Sequence, residues 1–462
     1  AGGIDAAGAH EEQVDVEAGD LGQRRRADGG QRVLIDVAAD ELDAVGRLPG
    51  ELAGNRDAVA DDLQMGDVRQ ALADRAREFE RQNEGIRVEV MPQMSSVRGN
   101  ITSAIKAFQT GTATVDVVAL SDQDFGGLTD YDILVELSAF IRETTDLQPG
   151  DFYPTALPAF QYRGRQMMMP AELLPMVIFW NRDLFEAAKA QPPTPGWNVQ
   201  DFVVAAQKIS AQQANRQPAV GFVSDPMSAA WPFVLAHGGR IPEPLSDPTL
   251  DALVAPDTIR GLQWFADLAV KEKVTPLPNS SRNLGLWFSG RAGMAALPMN
   301  ARNITPVQGQ PGPTPTPGAR PGWTFRWDVA PIPRDKDRAT TMTLVGYGIV
   351  KGTKYPNQSW AFVRHLVKTL PASGTGNAYV PALRSLSLSP EYAALYPEAG
   401  RQTYVDSVQV AYTLPVLPAS ARISEGDFQG VFTGDKSASD TLQQLRQRLQ
   451  PAIRKWLEQT QQ

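Results

Sequence analysis

The sequence contains no cysteine, and this absence excludes several kinds of chemistry. Disulfide bonds, iron–sulfur clusters, thiolate zinc sites and cysteine nucleophiles all require the thiol group. A lipid-anchor cysteine is likewise excluded for the chain as given. Histidine is scarce too, because His10, His237 and His365 are the only ones and lie far apart in sequence. We therefore expect no metal site and no other cofactor.

Long apolar runs are also missing. The longest, residues 173–180, is interrupted by Pro175 and is far shorter than the roughly 18 residues that cross a bilayer. Residues 1–20 lack a basic region followed by an apolar stretch, so no signal peptide is visible in this chain. The sequence thus predicts a chain that does not span the membrane.

Aromatic residues are absent from the start of the chain, where Phe79 is the first. A segment without aromatics has little with which to fill a core. We therefore expect residues 1–70 to be a disordered or non-native extension. The alternative is that the apolar run at 32–37 forms a genuine first strand.

The chain also lacks an excess of positive charge: its net charge is −8 and its pI is about 5.2. Such a chain offers no electrostatic footprint for nucleic acid. No GxSxG nucleophile motif occurs, and we predict no catalytic residue. The length, 462 residues, predicts more than one folding unit.

The patterns that are present indicate an α/β protein. Leu72, Ala76 and Phe79 lie on one helical face, and residues 86–90 and 115–120 have the character of strands on either side of a helix at 101–108. This order is typical of a parallel sheet. A second α/β region follows Pro170, where Asn198 and Asp201 predict the start of a helix. The Pro- and Gly-rich residues 305–322 predict a surface loop.

Six segments, in this order, resemble the extracellular solute-binding proteins of ABC sugar importers, the maltose-binding-protein class. They are ADRAREFERQNEGIRVEV (73–90), VDVVALSDQDFGGLTDYDILVELSAFI (115–141), VIFWNRDLF (177–185), AAWPFVLAHGG (229–239), LWFSGRAGMAALPMN (286–300) and WDVAPIPRDKDRATTMTLVGYGIVKGTKYPNQSWAFVRHL (327–366). The chain departs from the family where Gly-x-Trp usually follows the fifth segment, because Asn300 stands in its place.

The resemblance implies a periplasmic-binding-protein-like type II fold, with two α/β lobes, a hinge and a ligand cleft between the lobes. By this analogy the first lobe takes 71–171 and 296–345, and the second takes 172–295 and 353–462. Residues 346–352 would form a hinge segment.

A sugar presents apolar faces and a rim of hydroxyls, so its site needs aromatic rings together with carboxylates or amides. Trp231 and Trp180 are candidates for stacking on the ligand, with core packing as the alternative for both. A second group consists of polar residues that follow a strand or lie at the implied hinge. For residues 122–124, the alternative is a solvated loop without contact to a ligand. The ligand-binding candidates are Trp231, Asp122, Gln123, Asp124, Glu172, Trp180, Asn300, Tyr347 and Arg384.

The resemblance implies a monomeric receptor in the periplasm or on the outer face of the membrane, which delivers a carbohydrate to membrane permease subunits. A type II binding protein for a polyamine or a glycerophosphodiester is the alternative. An extracytoplasmic glycosidase or lyase is a third hypothesis, which would need two facing carboxylates or a base in the cleft.

Overall fold

The computed structural model describes residues 31–37, 57–91, 115–128, 132–214, 217–243, 247–277, 280–303, 325–370, 378–395, 400–414, 421 and 423–460. The helix predicted at 101–108 and the loop predicted at 305–322 lie outside these ranges. Within them, strands and helices are interspersed along the chain, as expected for the α/β class.

The strands vary from two residues to fourteen. In chain order they are β1 (Gln31–Val37), β2 (Ile86–Met91), β3 (Val117–Ser121), β4 (Gln161–Tyr162), β5 (Arg165–Gln166), β6 (Met168–Asn181), β7 (Gln213–Ala214), β8 (Gln217–Pro218), β9 (Val220–Ser224), β10 (Ala292–Pro298), β11 (Trp327–Ala330), β12 (Thr340–Ile349), β13 (Val380–Pro381) and β14 (Ala411–Thr413).

The helices connect these strands and cover their faces. They are α1 (Asp57–Gln82), α2 (Asp122–Leu128), α3 (Ser138–Glu143), α4 (Arg182–Ala187), α5 (Val199–Ser210), α6 (Pro226–Ala236), α7 (Pro256–Val270), α8 (Ser280–Phe288), α9 (Pro356–Lys368), α10 (Arg384–Ser387), α11 (Pro390–Leu395), α12 (Arg401–Gln409), α13 (Glu425–Thr433) and α14 (Ala438–Thr460). Short 3-10 turns occur at Pro149–Asp151, Pro158–Phe160, Asp251–Val254 and Met299–Asn303.

The sheet is organised around β6, whose residues are buried along the whole strand. The main strand order is β2-β1-β3-β12-β6-β10-β9, and β11 and β13 also pair with β6. From Met168 to Pro175, β6 pairs with β12, and from Met176 onward it pairs with β10. The partner change divides the sheet into a first half-sheet (β2, β1, β3, β12 and residues 168–175) and a second half-sheet (residues 176–181, β10, β9 and β11).

Pro175 lies where β6 changes partners. Proline has no N–H group to donate to a ladder, so this position cannot form a full set of ladder hydrogen bonds. Pro170 lies earlier in the same strand, within the part that pairs with β12, so proline alone does not account for the change of partner. Pro175 therefore marks the place where the partner changes within one sheet.

Each half-sheet has its own apolar core. The first core joins α1 and α9 to β3 and β12 and continues across one face of the second half-sheet, at Phe179, Trp287 and Trp327. The second core lies on the opposite face of the second half-sheet and contains side chains from α5, α6, α7, α13 and α14. The predicted helix start is confirmed here, because Asn198 and Asp201 form a reciprocal capping box.

The expectation that residues 1–70 contribute nothing to the fold is wrong for two stretches. Strand β1 lies between β2 and β3 and pairs in parallel with both, and α1 already begins at Asp57. The alternative, a genuine strand at 32–37, agrees with this placement. A strand needs alternation and partners more than aromatic rings, so aromatic content alone was a poor guide.

Three of the predicted lobe boundaries also need correction. Helix α9 was assigned to the second lobe, yet its Phe362 packs edge-on against Phe79 of α1, with ring centres 5.0 Å apart. Strand β11 was assigned to the first lobe, yet it pairs with residues 178–181 of β6. The hinge predicted at 346–352 is mostly first half-sheet, because Gly346 to Ile349 pair with β3. The chain instead crosses between half-sheets at 331–339.

We predict that Ile35→Pro destabilises the protein strongly, because β1 is a central strand with partners on both sides. Proline within such a strand removes a ladder hydrogen bond and leaves the partner carbonyl without its donor, which costs about 1–3 kcal/mol of unfolding free energy. Chemical denaturation measures this, with Ile35→Val as the matched control. Equal stability of the two variants would show that β1 is dispensable.

Candidate functional site

Asp122 begins α2, immediately after β3, and its side chain is buried with only 2% of the residue exposed. Its Oδ1 accepts a hydrogen bond from the backbone N–H of Leu344 in β12, 3.1 Å away. Because β3 ends at Ser121, the carboxylate continues the pairing along β12 in place of a strand. Burial raises the pKa of Asp122 to about 7, against the opposing effect of backbone N–H donors and with a smaller rise from Asp124.

The two neighbouring candidates have different surroundings. Asp124 is half-buried, and its Oδ2 accepts a hydrogen bond from Ser121 Oγ at 2.6 Å. The same hydroxyl accepts from the backbone N–H of Asp124, which caps the start of α2. Gln123 is exposed. The predicted 122–124 group is therefore one buried carboxylate, one exposed amide and one carboxylate that is hydrogen-bonded to the capping hydroxyl of Ser121.

Glu172 lies on β6 on the other side of β12. It pairs with Val345 of β12 and with Pro381 of β13, and only 9% of the residue is exposed. The hydroxyl of Tyr347 donates to Glu172 Oε1 across 3.5 Å, which is a long hydrogen bond. A carboxylate at such a position needs polar partners, because an isolated buried charge is unfavourable.

The register of three strands brings these candidates together. Val345 is opposite Ser121 on one side and opposite Glu172 on the other. Neighbouring strands lie about 4.8 Å apart, so Asp122 and Glu172 flank the same stretch of β12. We call Asp122, Glu172 and Tyr347 the β12 cluster. It lies next to the point where β6 passes from one half-sheet to the other.

Two residues near this cluster were not predicted. Tyr379 packs with Leu174 and Val345 in a small apolar group separate from both cores. Arg75 is buried in α1 and donates to the carbonyl oxygens of Leu366 and Thr369. Burial alone would lower the pKa of Arg75, but Tyr379, Tyr347 and Glu172 together raise it. The sequence did contain a signal for Arg75, because this charged residue lies on the predicted apolar face of α1 beside Leu72 and Ala76.

Both candidate tryptophans lie in the second core. Trp180 packs edge-on against Phe185, with ring centres 5.0 Å apart. Trp231, on α6, is 8% exposed and lines a small cavity together with Phe428 and Leu442. These surroundings favour the core-packing alternative for both residues, and their contact with a ligand stays a prediction.

The last two candidates follow strands that pair with β6, Asn300 after β10 and Arg384 after β13. Asn300 is 2% exposed in the 3-10 turn that follows β10. Arg384 is exposed, and its Nη2 donates to the carbonyl oxygen of Gly150 at 2.5 Å. Within the described ranges, no group of three His, Asp or Glu side chains is arranged to hold a metal ion. The groups that the structure assembles are hydrogen-bonding ones, suited to binding hydroxyls or amines.

The model of one protein family, described as bacterial extracellular solute-binding protein, matches residues 63–369. The chain belongs to this family. The match confirms the resemblance drawn from the six segments, and it includes the whole β12 cluster. Among the helices of the described ranges, none has both the length and the apolarity that a membrane crossing requires.

Solved structures of solute-binding proteins share the fold across most of their length. The maltose-maltodextrin binding protein of Alicyclobacillus acidocaldarius is 17% identical, with 91% of this chain and 100% of that chain covered and a TM-score of 0.65. The cyclic alpha-maltosyl-1,6-maltose binding protein of Arthrobacter globiformis is 15% identical, with coverages of 92% and 99% and a TM-score of 0.66. These matches confirm the two-lobed α/β fold of type II binding proteins.

A third structure widens the range of ligands seen on this fold. It is UgpB from Mycobacterium tuberculosis in complex with glycerophosphocholine, which is 15% identical to this solute-binding protein. The alignment covers 84% of this chain and 96% of that chain, with a TM-score of 0.66.

We predict that Asp122 makes stability depend on pH. Its pKa is raised above the ordinary value, so the folded state holds the proton more tightly than the unfolded chain. This contribution is fully present below about pH 4 and is lost as the pH rises through about 7. Asp122→Asn should therefore gain unfolding free energy relative to the wild type, by up to about 4 kcal/mol across that window.

Denaturant unfolding at several pH values measures this difference, with Gln123→Ala as a neighbouring variant that leaves the Asp122 carboxyl in place. A pH-independent difference between Asp122→Asn and the wild type would contradict the assignment.

We predict that Trp231→Ala lowers the unfolding free energy of the ligand-free protein by about 3–5 kcal/mol, as expected for a buried tryptophan. Thermal and chemical unfolding test this. If stability is nearly unchanged while ligand affinity falls by about 1–3 kcal/mol, Trp231 is instead a stacking platform.

Proposed function

We propose that this chain is the substrate-binding component of an ABC importer and that it binds a carbohydrate between its two half-sheets. The observation that carries the proposal is the β12 cluster. Asp122, Glu172 and Tyr347 offer hydrogen-bonding groups where the chain crosses from one lobe to the other, in a family of solute-binding proteins.

The chemistry of the cluster suits hydroxyl groups. Carboxylates accept strong hydrogen bonds from sugar hydroxyls, and a tyrosine combines a flat apolar ring with a polar hydroxyl. Ligand contacts from both lobes favour a closed form by the difference in affinity between the open and closed states. Fold relatives that bind maltose, maltodextrin and a cyclic maltosyl sugar support this choice of ligand.

A glycerophosphodiester is the second candidate, and the relative in complex with glycerophosphocholine favours it. A phosphodiester calls for a guanidinium or backbone N–H groups that face the ligand. The buried arginine nearest the β12 cluster is Arg75, but its Nη2 already donates to Leu366 and Thr369. The carbohydrate therefore remains the better match for the available groups.

The remaining parts of the proposal follow from family membership. The receptor would act outside the cytoplasm, as a monomer, and would deliver its ligand to permease subunits in the membrane. It would have no catalytic role and no nucleic-acid partner. Glu172 and Asp122 would bind the ligand, whereas a glycosidase would use such a pair as acid and base.

We predict that at least one saccharide raises the melting temperature, because a ligand that binds only the folded state stabilises it. The gain is about 2.7 kcal/mol at a hundred times Kd. The probes are maltose, a maltodextrin and tagatose, compared with glycerophosphocholine and spermidine. Glu172→Gln should weaken saccharide binding by about 1.5–3 kcal/mol, since a hydrogen bond to a charged group is lost.

The control is Glu458→Gln, the same chemical change at an exposed position on α14, outside the ligand-binding candidates. Stabilisation by glycerophosphocholine alone would replace the carbohydrate with the second candidate. If Glu172→Gln binds the saccharide with unchanged affinity, the ligand does not bind at the β12 cluster.

A further inference from the structure

The chain crosses between the half-sheets at three places that converge on one residue. The first crossing is β6 at Pro175 and Met176, where β12 is replaced by β10 as the partner. The second is the segment 331–339, which joins β11 to β12. The third follows β14, whose residues pair in parallel with 340–342 of β12 before the chain continues to the second core.

The second crossing is fastened to the second lobe over most of its length. The indole Nε1 of Trp197 donates to the carbonyl oxygen of Pro331 at 2.9 Å. The backbone N–H groups of Lys336 and Asp337 both donate to the carbonyl oxygen of Ala236, at the end of α6, at 3.0 Å. The segment is therefore held as far as residue 337.

Strand β12 is fastened to the first lobe at its other end. Leu344 is bound by Asp122, and Gly346 and its neighbours pair with β3. Gly346 has no room for a side chain, because a Cβ atom would approach the Phe160 ring to 2.8 Å. Residues 338–341 thus lie between the part held by the second lobe and the part of β12 that pairs with β6, and 340–342 pair with β14.

Thr340 lies in this stretch, and its hydrogen bonds reach the first crossing and the residue before β14. Its Oγ1 donates to the carbonyl oxygen of Met176 at 2.7 Å, whereas the Thr341 carbonyl oxygen is farther away at 3.4 Å. Its backbone N–H donates to the carbonyl oxygen of Val410, just before β14, at 3.4 Å. Thr340 is 2% exposed, so its hydroxyl lies where an unpaired polar group is unfavourable.

The Thr340 hydroxyl connects β12 to β6 beyond the end of the hydrogen-bonded ladder between these two strands. Pairing between β12 and β6 ends with Met342 opposite Pro175. Two residues before Met342 in sequence, the Thr340 hydroxyl of β12 still reaches β6, at the carbonyl oxygen of Met176. One side chain therefore joins a strand of the first half-sheet to the first residue of β6 in the second half-sheet.

We propose that Thr340 is the positioning residue of the interlobe hinge: its hydrogen bond to Met176 sets the angle between the two lobes. The proposal rests on the proposed function only in taking the lobes to move. Because hinges absorb rotation at a few terminal residues of elements, bending is confined to 338–339 and to the residues beside Thr340. No ligand contact is involved, so Thr340 acts on binding through the lobes.

The test uses the full chain, which has no native cysteine, so two introduced cysteines carry spin labels without interference. Glu143→Cys on α3 and Gln200→Cys on α5 are exposed positions, one in each lobe. Pulsed electron resonance gives the distance distribution between the labels without any ligand. Failure of sugar binding would therefore leave this experiment interpretable.

Thr340→Val keeps the shape of the side chain and removes the hydroxyl. We expect its interlobe distance distribution to shift or broaden relative to the wild type, and Thr340→Ser to restore the wild-type distribution. The matched control is Thr258→Val, since the buried Thr258 hydroxyl donates to the Ala252 carbonyl oxygen at 2.8 Å inside the second lobe. Thr340→Val should lose roughly 2–4 °C of melting temperature, the effect of one buried hydrogen bond. Thr258→Val should lose at least as much, because its hydroxyl also accepts from the backbone N–H of Arg240.

A Thr340→Val distribution that overlays the wild type, with a fall in melting temperature like that of Thr258→Val, would overturn the proposal. If Thr340→Val does not fold, amide hydrogen exchange of the wild-type protein tests the position of the hinge instead. The amides of Lys336 and Asp337 should then exchange more slowly than those of Arg338 and Ala339. Equal exchange across 336–339 would show that the segment is not anchored and would overturn the hinge position.

Discussion

The backbone hydrogen bonding of β6 is the constraint on which the rest of the structure depends. Buried N–H and C=O groups need partners, so a fourteen-residue buried strand must be paired along its length. Strand β12 pairs with its first part and β10 with its second part. The two lobes are therefore parts of one continuous sheet, and their relative orientation depends on a few residues around Pro175 and Met176.

The same constraint explains why polar groups gather at this place. Where β3 ends, β12 still presents the N–H of Leu344, and the carboxylate of Asp122 accepts it. Where β6 carries Glu172, the hydroxyl of Tyr347 faces it from β12. Carboxylates and phenolic hydroxyls form strong hydrogen bonds with hydroxyl groups, so a ligand rich in hydroxyls would suit this place. Hinge and proposed binding site thus share the same strands.

The sequence predicted those features that are governed by local pattern. The α/β class, the capping box at Asn198 and the family segments all depend on short-range spacing, and each is present. The candidate carboxylates at 122 and 172 were also placed beside strand ends or the hinge. The sequence did not predict which strands pair with one another, because nothing local in residues 31–37 indicates that a strand flanks them on each side. For the same reason, the burial of Trp231 by α13 and α14 depends on residues nearly two hundred positions away.

The central claim is that the two lobes close around a ligand held at the β12 cluster. Small-angle X-ray scattering of the protein with and without a saturating saccharide tests this most directly, because closure of two lobes changes the overall dimensions. The account predicts a smaller radius of gyration with the saccharide bound. At about ten times the wild-type Kd, Glu172→Gln should show at most about half of that change, because a loss of about 1.5–3 kcal/mol leaves the variant half occupied or less. An unchanged radius of gyration at demonstrated saturation would contradict the claim.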